Sequence, residues 1–217
     1  MTPIRLNDEH EVKSHKSMTY LGATISPDGR MTTELNRRIG MAKADFRSIR
    51  QVWTRSTLSK RRKLEIYAAL VESKLLYSLS TGCFTKAELR RLDGFQARCL
   101  RTIQSIPTAY VSRVSNKAVL EAAGCESASA KLAKQQLILL GKVLRSPEGA
   151  PMRSSSFVPG TVDPATSRYV RRVGRPRKEW IPTVLSEAYR ISGGHQSLTV
   201  LSANALAWKR LVASPSV

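Results

Sequence analysis

Clustered cations are the feature of this sequence best suited to chemistry with a ligand. Residues 60–63 read Lys-Arg-Arg-Lys, and residues 168–178 contain six cations and no acid. Lys and Arg side chains that lie close together on one element can neutralise consecutive phosphates, and each contact releases condensed counterions. Helical spacing adds two neighbouring arginines near the start of the first predicted helix. The candidate nucleic-acid-binding residues are Arg37, Arg38, Lys60, Arg61, Arg62, Lys63, Arg171, Arg172, Arg175, Arg177 and Lys178.

The overall charge supports the same interpretation. Lys and Arg number 36 against 16 Asp and Glu, which gives a formal net charge of +20 over 217 residues. A small domain needs a net charge of only about 2–8 for solubility. The excess therefore favours a polyanionic partner, namely RNA, DNA or an RNA–DNA hybrid. The alternative interpretation is an ordinary solvated basic surface.

Catalytic and metal-binding chemistry is not predicted. Two-metal phosphoryl transfer needs carboxylates that converge on one point, whereas the five aspartates are scattered over turns and charged helix faces. Cys83, Cys99 and Cys125 are widely spaced and odd in number, which argues against a disulfide framework and a zinc site. We therefore expect no catalytic residue, no metal and no cofactor. No apolar stretch approaches the roughly 18–20 residues that cross a bilayer, so we expect no membrane partner.

The apolar spacing predicts the first helix that would position these cations. Apolar residues recur in steps of four and three from Leu35 to Trp53, with Phe46 in the seam and Thr32 or Thr33 as the N-cap. The remaining faces of this helix carry Arg37, Arg38, Lys43, Arg47 and Arg50.

Further helices are predicted downstream. One begins after Ser59 and ends at Gly82, and its apolar residues cover most of its circumference, which is typical of a central helix. The next runs from Thr85 to Pro107, and another covers residues 126–145. A C-terminal helical pair is expected, with one helix from about Trp180 to Ile191 and a last helix from Leu198 to about Val212. The cations expected on the outer face of the Thr85–Pro107 helix are Arg90, Arg91, Arg98 and Arg101.

The sequence as a whole predicts a mainly α fold. Met18–Ile25 is rich in β-branched and aromatic residues and is expected to be a strand, followed by a turn at residues 27–29. The expected segments are a short N-terminal β-hairpin (1–30), a helical bundle (31–146), a Pro/Ser/Arg-rich loop or linker (147–178) and C-terminal helices (179–217).

Five segments in order resemble the C-terminal part of a non-LTR (LINE-type) retrotransposon reverse transcriptase, over about residues 18–182. The hairpin-like segment is Tyr20-Leu21-Gly22 with Ile25 and Asp28-Gly29. The helical segments carry Glu34, Arg37-Arg38-Ile39, Ala42, Phe46 and Trp53, then Leu58-Ser59, Lys63-Leu64, Tyr67, Val71 and Leu75-Leu76-Tyr77, then Phe95–Ile103 with Ser115-Asn116. The last is Gly174–Trp180, which is similar to a "GRPR..W" pattern.

The resemblance implies the end of the palm, the thumb and the post-thumb region of such an enzyme. It implies a helical thumb-like bundle that contacts the backbone of a template–primer duplex without base specificity, and a nuclear location. Tyr20, Leu21 and Gly22 are the primer-grip-like residues. The family's catalytic aspartates lie upstream in a Tyr-x-Asp-Asp hairpin that this sequence does not contain, so the resemblance implies a fragment that is not itself an enzyme.

Several alternatives stay open at this point. Residues 174–178 also resemble an AT-hook, although Val173 replaces the usual arginine, and a short basic run can act as a nuclear import signal. Tyr20 and Leu21 could instead pack on the bundle, with Gly22 allowing a bend. The protein could be a helical interaction or ribonucleoprotein-assembly component, a polymerase, or a retrotransposon remnant without function.

Overall fold

Short β-hairpins precede a helical body, so the expected mainly α fold is confirmed. The structure is a computed structural model and describes residues 4–7, 10–12, 17–26, 28–54, 57–165 and 178–214. Four of the candidate binding residues lie outside the described residues, namely Arg171, Arg172, Arg175 and Arg177.

Two antiparallel hairpins are described at the N-terminal end of the chain. Strand β1 (Ile4–Asn7) pairs with β2 (His10–Val12), and β3 (Met18–Tyr20) pairs with β4 (Ala23–Ile25). The predicted strand Met18–Ile25 is therefore folded back on itself. Its two turn residues, Leu21 and Gly22, both have positive φ, 45° and 75°, as the hairpin turn that matches strand twist requires.

Helices dominate the rest of the described chain. They are α1 (Thr32–Ser48), α2 (Arg50–Thr54), α3 (Lys60–Ile66), α4 (Ser73–Leu76), α5 (Lys86–Gln104), α6 (Ala109–Ser112), α7 (Asn116–Ala123), α8 (Ala128–Arg145), α9 (Pro151–Ser154), α10 (Trp180–Ser192), α11 (His195–Ala203) and α12 (Ala205–Ala213). A π-helical segment, Tyr67–Glu72, joins α3 to α4, and a 3₁₀ turn follows at Leu79–Thr81.

The first predicted helix is interrupted, although the apolar spacing from Leu35 to Trp53 predicted one continuous helix. The Phe46 carbonyl accepts a hydrogen bond from the Trp53 indole nitrogen at 2.8 Å, where an unbroken helix would use the amide of residue 50. A helix bends where a side chain replaces the backbone amide that would donate to a helical carbonyl. Helix α1 therefore ends at Ser48, Ile49 leaves the helical conformation, and α2 begins at Arg50. The predicted N-cap is also wrong, because Thr32 instead donates to Glu88 at 2.6 Å.

The second predicted helix ends earlier than Gly82. Ser59 caps its start as expected, by accepting from the Arg62 amide at 3.3 Å. Tyr77 then adopts an extended conformation and Ser78 a left-handed one, so the helix stops at Leu76.

Two hydrophobic clusters hold the helices together, and α8 contributes to both. The first cluster joins α1 to α5, α7 and the start of α8, with Leu132 as a buried member. The second joins the remainder of α8 to the C-terminal helices, with Leu137 and Trp208 buried. The predicted last helix is divided at Asn204, whose side chain accepts from the amides of Leu206 and Ala207 and so caps α12.

Candidate nucleic-acid interface

A groove runs between α1 and α5 and carries cations along both sides. Two cavities of about 630 Å³ and 330 Å³ both contact Ile39 and Arg98, so they lie side by side in this groove. We call it the basic groove. Its floor is Ile39, Phe46, Phe95 and Cys99, one rim is Lys43, Arg47 and Arg50, and the other rim is Arg90, Arg91 and Arg98.

The six rim cations are exposed. Within the part of the chain that the structure describes, no carboxylate lies within 4.0 Å of any of them. Arg91 is held in place by a hydrogen bond from its guanidinium to the Asn36 side-chain oxygen. Six cations that are exposed and free of ion pairs give the groove a positive potential suited to an anionic ligand.

Aromatic contacts fix the floor of the groove. The Phe46 ring stacks on Trp53, with ring centroids 5.0 Å apart and planes 13° apart. Its edge-to-face contact with Tyr67 has a centroid distance of 6.3 Å. Together with the bend at Ile49, this packing brings Arg50 and Thr54 to one end of the groove.

The predicted cluster Lys60 to Lys63 is divided by the fold. Lys60, Arg61 and Arg62 are exposed, and both arginines pair with Glu65, at 3.4 Å and 2.7 Å. Exposed pairs of this kind contribute little and leave the cations available to a ligand. Lys63 is buried instead, and its ammonium donates to the Trp53 carbonyl at 3.0 Å. Lys63 therefore has to be removed from the predicted phosphate-binding face, because its charge points into the protein.

Arg37 and Arg38 also have a different position from the one expected. Arg38 is buried and donates from Nε to Glu34 at 2.6 Å, and Arg37 is half-buried and donates to the same carboxylate at 2.8 Å. Both guanidinium groups also donate to the Gly22 carbonyl. They anchor the β3–β4 hairpin on α1. The prediction that Arg38 lies on an exposed face is therefore wrong, and only part of the Arg37 side chain is available to a ligand.

The ionisation of Glu34 reflects this arrangement. Burial opposes its charge and alone would raise its pKa. Its hydrogen bonds more than offset burial and lower the pKa from 4.5 to about 2. The donors are Arg37, Ser78, the Thr24 amide and Arg38.

The primer-grip-like residues form the tip of the β3–β4 hairpin. Tyr20 is 58% exposed and Leu21 is 77% exposed, so the alternative that both pack on the bundle is wrong. The Leu21 carbonyl accepts from the Tyr77 hydroxyl at 3.1 Å. Positive φ is unfavourable for a bulky residue such as Leu21 and is maintained by its surroundings.

Lys178 is the one member of the C-terminal basic segment that the structure describes. It is exposed and precedes α10, whose Trp180 indole donates to the Ser80 carbonyl at 2.8 Å.

Sequence reasoning did not single out the basic groove. The spacing of Lys43, Arg47 and Arg50 in steps of four and three places them on one side of a helix, and this signal was present in the sequence. The partnership of α1 with α5 depends on tertiary packing and was not predictable from either helix alone.

Two further findings concern the described residues as a set. No group of three or more His, Cys, Asp and Glu side chains there could hold a metal ion. None of the described helices is both long and apolar enough to cross a bilayer.

Comparison with known proteins returned no relative. No family model matches the chain, and neither the curated proteins nor the solved structures gave a match.

Proposed function

We propose that this protein binds nucleic acid through the sugar–phosphate backbone, as the thumb region of a LINE-type reverse transcriptase without polymerase activity of its own. The observation that carries the proposal is the basic groove, in which six exposed cations on α1, α2 and α5 have no ion pair among the residues that the structure describes. The sequence resemblance supports the same function.

The expected binding is independent of base sequence. Rim cations on rigid helices are suited to phosphate contacts, which position a nucleic acid but carry no sequence information. Lys60, Arg61 and Arg62 begin six residues beyond Thr54, at the end of the groove, and Lys63 fixes the start of α3 against Trp53. We expect these three exposed cations to extend the positive surface beyond Arg50.

The test is a titration of labelled oligonucleotides over a range of salt concentrations. The variant Arg47→Gln/Arg50→Gln/Arg98→Gln removes three rim cations. The control, Lys142→Gln/Lys209→Gln/Arg210→Gln, removes the same charge from exposed positions on α8 and α12. Removing one cation–phosphate pair lowers the slope of log affinity against log salt by about 0.7–0.9, so the slope of the groove variant is expected to fall by about 2–3. Equal decreases of this slope in the two variants would show that the groove is not the binding surface.

A second candidate function is protein binding in a ribonucleoprotein. It is favoured by Tyr110 and Val111, two neighbouring apolar side chains on α6 that are 80% and 68% exposed. Buried Arg101 holds this loop rigidly by donating to the carbonyls of Pro107 and Val114, at 3.2 Å and 2.6 Å. Tyr110→Ser would then abolish co-purification with ribonucleoprotein particles and leave binding to free oligonucleotides unchanged.

A further inference from the structure

We infer that the basic groove receives a single nucleic-acid strand, with bases against its apolar floor and phosphates along its cationic rims. This inference rests on the proposed function and specifies its ligand. The ligand is single-stranded RNA or DNA, since both present the same phosphates and base faces.

The first argument is the distribution of polar and apolar groups across the groove. Cations occupy both rims, whereas the floor between them is apolar, with Ile39 and Phe46 partly exposed and Phe95 buried at its base. A duplex keeps its bases stacked inside and presents its backbone to a protein. It would contact the rims and leave the apolar floor against water. A single strand can turn its bases to the floor while its phosphates stay between the rims, which is how sequence-tolerant single-strand sites are built.

The second argument is size. The two cavities measure about 630 Å³ and 330 Å³. Pockets of about 300–1,000 Å³ are typical for ligands of the size of one or two nucleotides. Because the cavities lie side by side and share Ile39 and Arg98, they suit consecutive nucleotides of one strand.

The third argument is Gly94, which lines the smaller cavity from the middle of α5. Glycine weakens a helix interior, so it usually serves packing or the close approach of another molecule. An added Cβ at Gly94 would meet only the tip of Arg98, at 3.8 Å, so packing within the protein does not require glycine there. Its bare backbone instead allows a ligand to reach the floor between the two rims.

Gly40 provides a matched control on the opposite helix. It also lies inside a helix, it is exposed, and an added Cβ would meet nothing within 4 Å. It is not among the residues that line the groove. A larger side chain at Gly40 therefore changes helix propensity in the same direction as one at Gly94 and leaves the groove open.

The experiment compares the full chain with its Gly94→Leu and Gly40→Leu variants. Each is titrated with oligonucleotides of about twelve residues, within the usual site size for such grooves, as single-stranded DNA, single-stranded RNA, DNA duplex and RNA–DNA hybrid. Thermal unfolding of each variant confirms that both remain folded. The DNA and RNA arms show whether the 2′-hydroxyl contributes to binding.

The expected result is tighter binding of single strands than of either duplex. Gly94→Leu should weaken single-strand binding by about tenfold or more, or ~1.4 kcal/mol, and leave duplex binding unchanged. Gly40→Leu should leave both unchanged. Tighter duplex binding that is insensitive to Gly94→Leu would overturn the inference while the proposed function stood. Absence of binding to all four oligonucleotides would overturn both.

Discussion

Arg38 Nε donates to the Glu34 carboxylate at 2.6 Å, and both side chains are buried. The same guanidinium lies 4.4 Å from the centre of the Tyr77 ring. A charge that the sequence places among phosphate-binding candidates is thus used to join α1, the β3–β4 hairpin and the end of α4. Buried charges need such partners, because an unpaired one is costly.

The Glu34 network is expected to make stability depend on acid pH. Its pKa of about 2 lies below the ordinary 4.5, so its contribution is complete above about pH 4.5 and is lost as the pH falls towards 2. The shift corresponds to about 3 kcal/mol. Urea unfolding of the native chain and of Glu34→Gln should show a stability difference that shrinks by this amount between pH 6 and pH 2. A difference that stays constant with pH would contradict the assignment.

The exposed cations of α3 are expected to contribute to nucleic-acid binding. Lys60→Ala/Arg61→Ala/Arg62→Ala should weaken binding to oligonucleotides of every sequence alike and flatten the salt dependence, by about 0.7–0.9 in slope for each phosphate no longer neutralised. The measurement is the affinity for two unrelated oligonucleotides at several salt concentrations. An unchanged slope would place these residues outside the interface.

Lys63 should behave differently from its three neighbours, because its ammonium donates to the Trp53 carbonyl in a buried position. Lys63→Met keeps the apolar stem but leaves that carbonyl without its donor. We expect a decrease of about 1–3 kcal/mol in the free energy of unfolding and no change in the salt slope of binding. A flatter salt dependence of binding, with unchanged stability, would show that Lys63 belongs to the binding face.

Phe46→Ala should be strongly destabilising, because Phe46 stacks on Trp53 and contacts the edge of Tyr67. Phe46 is partly buried, so we expect the lower end of the usual range of about 3–5 kcal/mol. Tyr110→Ala removes an aromatic ring that is 80% exposed and should cost less than about 0.5 kcal/mol. Equal melting temperatures for the two variants would show that Phe46 is not part of the core.

Features that depend on nearby residues were predictable from the sequence, whereas features that depend on tertiary packing were not. Short-range rules predicted the cap Ser59, because this cap depends on a residue three positions away. The break at Ile49 was not predictable, since it depends on where the Trp53 indole finds an acceptor. The candidate site divides in the same way. Helical spacing identified cations but could not separate exposed Arg62 from buried Lys63.

The burial of Arg101 shows the same limit. Its spacing places it beside Arg98 on the outer face of α5, yet it is buried and donates to four acceptors between the end of α5 and the start of α7. Those acceptors follow Arg101 by 6–15 residues, in a segment without regular periodicity. The position of a residue on a helix face does not predict partners of that kind.

Replacement of two helix glycines by alanine should change the stability of the protein in opposite directions. At Gly40 the added Cβ meets nothing within 4 Å, so Gly40→Ala should stabilise the protein by about 0.5–1 kcal/mol through helix propensity. At Gly141 the added Cβ would overlap the Trp208 ring, which is fully buried and donates from its indole nitrogen to the Leu137 carbonyl at 2.8 Å. The ring would have to move, and overpacking of this kind costs about 1–3 kcal/mol, which exceeds the gain in propensity. Urea unfolding of the two variants should therefore move the midpoint up for Gly40→Ala and down for Gly141→Ala. A stabilised Gly141→Ala would mean that α8 and α12 do not approach each other through Trp208.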